Sequence, residues 1–125
     1  MVGDPSSSAL LGAGLRTFFL LAEEWQLSEA EQAILLGSPT ISELERWRCG
    51  EILSASGETL ERISYLLGIY KAIHTILPVP ARANGWLRAA NSAPEFGGHS
   101  ALDRLLGGDI ADFRSILAYL DAQLR

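Results

Sequence analysis

The sequence predicts an all-α protein of about seven helices in two lobes, and three observations predict it. Apolar residues recur at spacings of three and four through most of the chain, which is the period of one face of a helix. Ser or Thr stands three residues before Glu or Asp at Ser28/Glu31, Thr40/Glu43 and Ser100/Asp103. At that spacing hydroxyl and carboxylate satisfy otherwise unpaired amides at a helix start. Gly or Pro then follows the apolar runs at Gly37, Pro78 and Gly107-Gly108, where a helix must stop.

Residues 1–9 are small, polar and turn-forming, and read as a flexible tail. From Leu10 to about Gln26 a first helix carries Leu11, Leu15, Phe18, Phe19, Ala22 and Trp25 on one stripe, with Glu23 and Glu24 outside it. The Ser28 box opens a short second helix bearing Ala33, Leu35 and Leu36, and Gly37 can take the left-handed conformation that ends it. Ser38-Pro39-Thr40 makes a tight corner into a third helix that carries Ile41, Leu44 and Trp47. Two short helices joined through a Gly corner have the dimensions of a helix-turn-helix, so residues 10–56 form the first lobe. If that lobe touches DNA, Ser38, Thr40, Ser42, Arg46 and Arg48 are the residues placed to do it; ion pairs of the two arginines with Glu43 and Glu45 are the alternative.

Residues 57–125 form the second lobe. Its longest helix, about Thr59 to Leu77, has two apolar stripes, Leu60/Ile63/Leu67/Tyr70/Leu77 and Leu66/Ile69/Ile73/Ile76, and so needs cover on two sides. After Pro78-Val79-Pro80 a short helix from Ala81 to Arg88 bears Trp86 and Leu87. Asn91 to His99, rich in Gly, Pro, Ser and Asn, is a structured loop pinned by Phe96. Ser100 caps a one- to two-turn helix that ends at Gly107-Gly108, and Asp109 caps the last helix. There Ile110, Phe113, Leu117, Leu120 and Leu124 make a narrow seam that packs on the long helix or on a second molecule.

Composition narrows the function. The chain has 125 residues, 48% of them apolar, enough for one core or two small lobes sharing it. No apolar run reaches the roughly 18 to 20 residues of a membrane span, and residues 1–8 carry no signal-peptide pattern, so a cytoplasmic protein is expected. Cys49, the single cysteine, allows no internal disulfide and reads as a small core or helix-end residue. The net charge of −5 is uneven: residues 1–50 hold seven acids against three arginines, and the rest eight acids against seven bases. An acidic lobe binds DNA weakly unless a dimer gathers its arginines on one face. His74 and His99 lack metal-ligand spacing, no nucleophile elbow or phosphate loop is present, and neither cofactor nor enzymatic chemistry is expected.

One order of residues is too particular for a generic helical protein. Leu60-Glu61-Arg62-Ile63, Leu66-Leu67-Gly68-Ile69-Tyr70, the prolines after Leu77, Trp86-Leu87, Asn91, Phe96-Gly97-Gly98, Ser100 and Tyr119-Leu120 follow one another, behind a helix-turn-helix-like segment with Trp47. This order resembles the MbcA/ParS/Xre antitoxins and spans about residues 15 to 124. One departure is Ala101, where the family often places Pro after the Ser.

The resemblance implies an antitoxin of a type II toxin-antitoxin system. Its partner would be a RES-domain toxin that acts on NAD or uses it to modify proteins, blocked when the antitoxin's C-terminal region fills the NAD pocket. A homodimer within a hetero-oligomeric complex, and operator DNA with operon autoregulation, are further implied partners and roles. On this reading the toxin-binding residues are Trp86, Arg88, Asn91, Phe96, Gly97, Gly98, His99, Ser100, Asp121 and Arg125. A pocket for pyrophosphate offers cationic and amide donors, which Asp103, Asp121 or the carboxylate of Arg125 could satisfy. Trp86 is read first as a core anchor packing the short helix on the long one and only second as an interface contact, and a DNA-binding regulator is the alternative function.

Overall fold

The computed structural model describes the backbone of residues 5–51 and 57–125, and the side chains of that range from Ala9 onward. It contains α1 (Pro5–Glu24), α2 (Glu29–Leu35), α3 (Ile41–Arg48), α4 (Gly57–Ile76), α5 (Pro80–Trp86), α6 (Ala101–Leu105) and α7 (Ile110–Gln123). Among the described residues no strand forms, and the sole β-type pairing is a bridge between Ala90 and Ser100. The fold is all-α, as the periodicity predicts. Two compact units divide within α4, residues 1–64 and residues 65–125.

In the first unit α1 starts five residues before Leu10, at Pro5, whose fixed φ and missing N–H suit the first helical position. The expected tail is therefore helical from Pro5, and residues 1–4 lie outside the described range. Leu15, Phe18, Leu21, Ala22 and Trp25 are buried, while Leu11 and Phe19 are only half-buried. This face packs on α3 and passes close to the start of α4, where a Cβ on Gly14 would lie 3.3 Å from Ile63 Cγ2.

Both expected capping boxes form. Glu31 N–H donates to Ser28 Oγ at 3.1 Å and Ser28 N–H to Glu31 Oε1 at 2.8 Å, with the same exchange at Thr40 and Glu43. Gly37 ends α2 with φ +94°, as read. Leu44 and Trp47 are buried on α3, and Ile41 is 54% exposed at the helix's first position. Cys49 is the exposed C-cap of α3, a helix-end residue and not a core one. Arg62 is buried beside the α2–α3 corner and ion-paired with Glu58 at 3.6 Å.

In the second unit α4 buries Leu66, Ile69, Ala72 and Ile73, and α7 buries Phe113, Ile116 and Leu120. The two helices approach closely at Gly68, where a Cβ would stand 3.2 Å from Leu117 Cδ2. The predicted seam of α7 is therefore corrected: Ile116 replaces Leu117 among the fully buried positions, and Leu124 is 45% exposed. Burial extends around the helix because α7 meets α6 as well as α4, so no narrow two-helix seam is required. Pro80 is the first residue of α5, and Asp109 caps α7 by accepting from Ala111 N–H at 2.9 Å.

Candidate functional site

The loop between α5 and α6 is closed on itself by hydrogen bonds that its own sequence dictates. Asn91 Oδ1 accepts from Ala93 N–H at 2.9 Å, an Asx turn that starts the loop. Asn91 N–H donates to the His99 carbonyl at 3.1 Å, and Gly98 N–H to the Asn91 carbonyl at 2.9 Å, so the two ends meet. Gly97 and Gly98 turn the chain with φ +57° and +90°, a region other L-residues enter at a cost of roughly 1–2 kcal/mol. The result is a compact surface loop with adjacent ends.

Side chains then pin the loop to the helices. Phe96, 3% exposed, meets the Trp86 ring edge-on at 5.8 Å and the Tyr119 ring edge-on at 5.1 Å. α5, the loop and α7 thus share one aromatic cluster, in the geometry aromatic rings prefer. Arg104 adds a second tie. Its Nε and Nη2 donate to Asp112 Oδ1 at 3.2 and 2.7 Å, and its Nη1 donates to the Glu95 carbonyl. Ser100 is buried, its Oγ accepting from Asp103 N–H at 3.0 Å, so the absent Pro at Ala101 leaves the cap intact. Leu102 N–H donates to the Leu87 carbonyl at 2.9 Å and joins the start of α6 to the end of α5.

The C-terminal candidates fall into three groups. Phe96 and Ser100 face inward and hold the loop. Arg88, Gly97, Gly98 and His99 are exposed, and Asn91 is half-buried. Trp86, also half-buried, lines a hollow of about 250 Å³ with Ile76, Leu77, Tyr119 and Gln123. Asp121 belongs to a different hollow, with Lys71, Thr75 and Leu124, and both Asp121 and Arg125 are exposed. Asp103 spends one oxygen on the Ser100 N–H at 3.3 Å. His74 is held within the unit, 3.2 Å from Asn84 Oδ1 and with its ring 4.1 Å from Tyr70.

The first-unit candidates are all exposed, and the polar groups of Thr40, Ser42, Arg46 and Arg48 turn to their own chain. Thr40 is consumed as a cap, and Ser42 Oγ accepts from Arg46 Nη1 at 2.9 Å. Arg48 Nη2 donates to Gln32 Oε1 at 3.1 Å while its guanidinium lies 5.5 Å from the centre of the Phe19 ring. Ser38 takes a left-handed φ of +64° at the corner. Glu43 is held below the usual carboxylate range, first by the Thr40 backbone N–H, then by the Thr40 hydroxyl, with the Arg46 charge adding to both.

Arg104 and Tyr119 are the residues whose roles local sequence reasoning misses. Arg104 reaches Asp112 across the Gly107-Gly108 turn, where helical periodicity breaks and no spacing rule applies. Among the described residues no cluster of three or more His, Cys, Asp or Glu could hold a metal ion. No described helix is long and apolar enough to cross a membrane.

Comparison with known proteins assigns this region. A family model described as the antitoxin Xre/MbcA/ParS C-terminal toxin-binding domain matches residues 74–124, which take in α5, the pinned loop, α6 and α7. An uncharacterized protein of Sinorhizobium fredii, y4oB, is 41% identical over 119 residues, covering 94% of this chain and 89% of its own length. No solved structure gives a significant match. The chain belongs to the Xre/MbcA/ParS antitoxin family, whose C-terminal toxin-binding domain its residues 74–124 match.

Proposed function

We propose that this antitoxin neutralises a RES-domain, NAD-consuming toxin by laying its C-terminal unit across the toxin's active site. The observation that carries the reading is the toxin-binding domain match over residues 74–124, because that span contains a loop stiffened at both ends and by Phe96. A surface element that is already ordered pays little conformational entropy on binding. The contact residues on this reading are the exposed edge of Trp86 with Arg88, Asn91, Gly97, Gly98 and His99, and Asp121 and Arg125 at the end of α7. Phe96 and Ser100 act by holding the loop, since both are buried. The exposed Asp121 carboxylate supplies the anion that a pyrophosphate-binding pocket would accept.

The assembly is a homodimeric antitoxin within a larger cytoplasmic complex with the toxin, and operon autoregulation follows once that complex forms. The test is NAD consumption by the RES-domain product of the neighbouring reading frame, with purified antitoxin titrated in. Equimolar antitoxin stops consumption, and a toxin left fully active at that dose overturns the reading. Arg88→Glu and His99→Glu, both on exposed positions, weaken inhibition while leaving the helical content unchanged. Removing residues 121–125 without loss of inhibition assigns the occlusion to the loop alone.

A further inference from the structure

The hollow beside Trp86 and Tyr119 is lined without a charge. Ile73 and Leu120, both buried, form its floor, and Ile76, Leu77, Trp86 and Tyr119, all half-buried, form its walls. Gln123, exposed, stands at its rim, so no lining residue is ionised. The apolar surface continues from Leu77 along the connector to α5, where Pro78, Val79 and Pro80 are all exposed.

Two of the walls are braced from outside the hollow. Phe96, which does not line it, meets the Trp86 ring edge-on at 5.8 Å and the Tyr119 ring edge-on at 5.1 Å. The buried ring of the loop thus fixes how these walls stand, and walls already set lose little freedom when an occupant arrives. The same two rings hold polar capacity in reserve. Among the described residues neither the Trp86 indole N–H nor the Tyr119 hydroxyl has a hydrogen-bond partner, and such groups usually find one when they are covered.

Size and charge narrow the occupant. At about 250 Å³ the hollow is smaller than the roughly 300–1,000 Å³ of a drug-sized ligand site. Its lining offers no cation to a phosphate or carboxylate. A cavity of about 150 Å³ walled by aliphatic and aromatic side chains takes one benzene ring, so this hollow takes a ring together with its stem.

We propose that the hollow is the anchor socket of the toxin interface. It receives one aromatic side chain of the toxin, and carbonyls flanking that side chain accept from the Trp86 indole N–H and the Tyr119 hydroxyl. Continuity with the matched domain names this occupant: Ile73 apart, every lining residue falls within residues 74–124. A few large side chains seated in dry pockets carry most of the affinity of a protein interface. The inference rests on the toxin reading above and deepens it, because the pinned loop then acts by bracing a socket as well as by contact.

Isothermal titration calorimetry of the full chain against the RES-domain toxin, run beside NAD consumption, tests it. Ile76→Trp fills the socket, and Gln123→Trp covers its mouth from an exposed position. Each weakens toxin affinity at least about thirtyfold, the loss of one hot spot. Circular dichroism and the thermal midpoint of Gln123→Trp match the parent, so its result stands even where Ile76→Trp fails to fold. Trp86→Phe keeps a ring in the wall without the donor, and weakens affinity about three- to tenfold. Alanine replacement of the toxin's exposed aromatic residues, one at a time, finds one whose loss weakens binding to the parent but weakens binding to Gln123→Trp no further.

Parent-like affinity in Gln123→Trp overturns the socket, and inhibition of the toxin by the parent chain then leaves the toxin reading standing. A toxin in which no aromatic residue couples to Gln123→Trp also overturns it. So does an effect of Gln123→Trp on self-association alone in sedimentation velocity, which gives the hollow to a second copy. A toxin left fully active by the parent chain overturns the toxin reading itself, and the socket with it.

Discussion

At Phe96 one ring fills the space between Trp86 and Tyr119, and the loop's shape depends on it. Phe96→Ala leaves a cavity beneath the loop and should lower the stability of the C-terminal unit by about 3 kcal/mol, read as a lower denaturation midpoint with unchanged slope. Phe96→Leu, which keeps most of the volume, should cost distinctly less. Loss of toxin binding in the alanine variant therefore reports a disordered loop and not a missing contact. Arg104 makes a different kind of tie, one partly exposed guanidinium held by a side chain on α7 and a carbonyl in the loop. Arg104→Ala should cost about 1 to 2 kcal/mol. Its clearer signature is local: faster amide exchange at Gly98 and His99, whose N–H groups are bonded within the loop, while amides in the middle of α4 are unaffected.

Helix ends and helix contacts set the next scale. The α3 cap is the place where acid should act, because Glu43 accepts hydrogen bonds in the folded state that it lacks in the unfolded one. A carboxyl held below its usual range stabilises the fold above its unfolded pKa, and that contribution is lost as the pH falls through the folded value. Glu43→Gln should therefore flatten the acid limb of stability below about pH 5, measured by ellipticity against pH, without changing the neutral-pH fold. An identical acid limb in the variant would remove Glu43 as its source. The contact between α4 and α7 has its own test at Gly68, where Leu117 leaves only 3.2 Å for a Cβ. Gly68→Ala gains about 1 kcal/mol of helix propensity against a small displacement of Leu117 and should be close to neutral. Gly68→Val adds branching into the same gap and should destabilise by about 1 to 3 kcal/mol in thermal unfolding.

Over the whole molecule the charges divide with the two units. Residues 1–64 hold ten acids and four arginines, a net of −6, and residues 65–125 hold five acids and six bases, a net of +1. The unit with helix-turn-helix dimensions is thus the strongly acidic one, and its arginines 46 and 48 are bonded to Ser42 and Gln32. Phosphate neutralisation supplies most of the nonspecific affinity for DNA, and here it is nearly missing. The isolated chain should leave duplex DNA unbound in a mobility-shift assay at about 0.15 M salt. Retention of its own promoter under those conditions would put the regulator reading ahead of the antitoxin one.

The all-helical class, the number of helices and three reciprocal caps were legible in the linear order of residues, because each depends on neighbours no more than four positions away. The family could be read there too, from residues between Trp47 and Leu120 whose order alone is distinctive, and the family model matches residues 74–124. What escaped the linear reading is everything that depends on distant partners. Ile116 joining the core, Leu124 left in solvent and Arg104 tying a loop to α7 each follow from which helix packs on which side. A helix's period says which residues share a face, but only the neighbours packed against it decide how much of that face is covered. Packing of this kind divides the suspected contact residues into a buried group that shapes the loop and an exposed group on its surface.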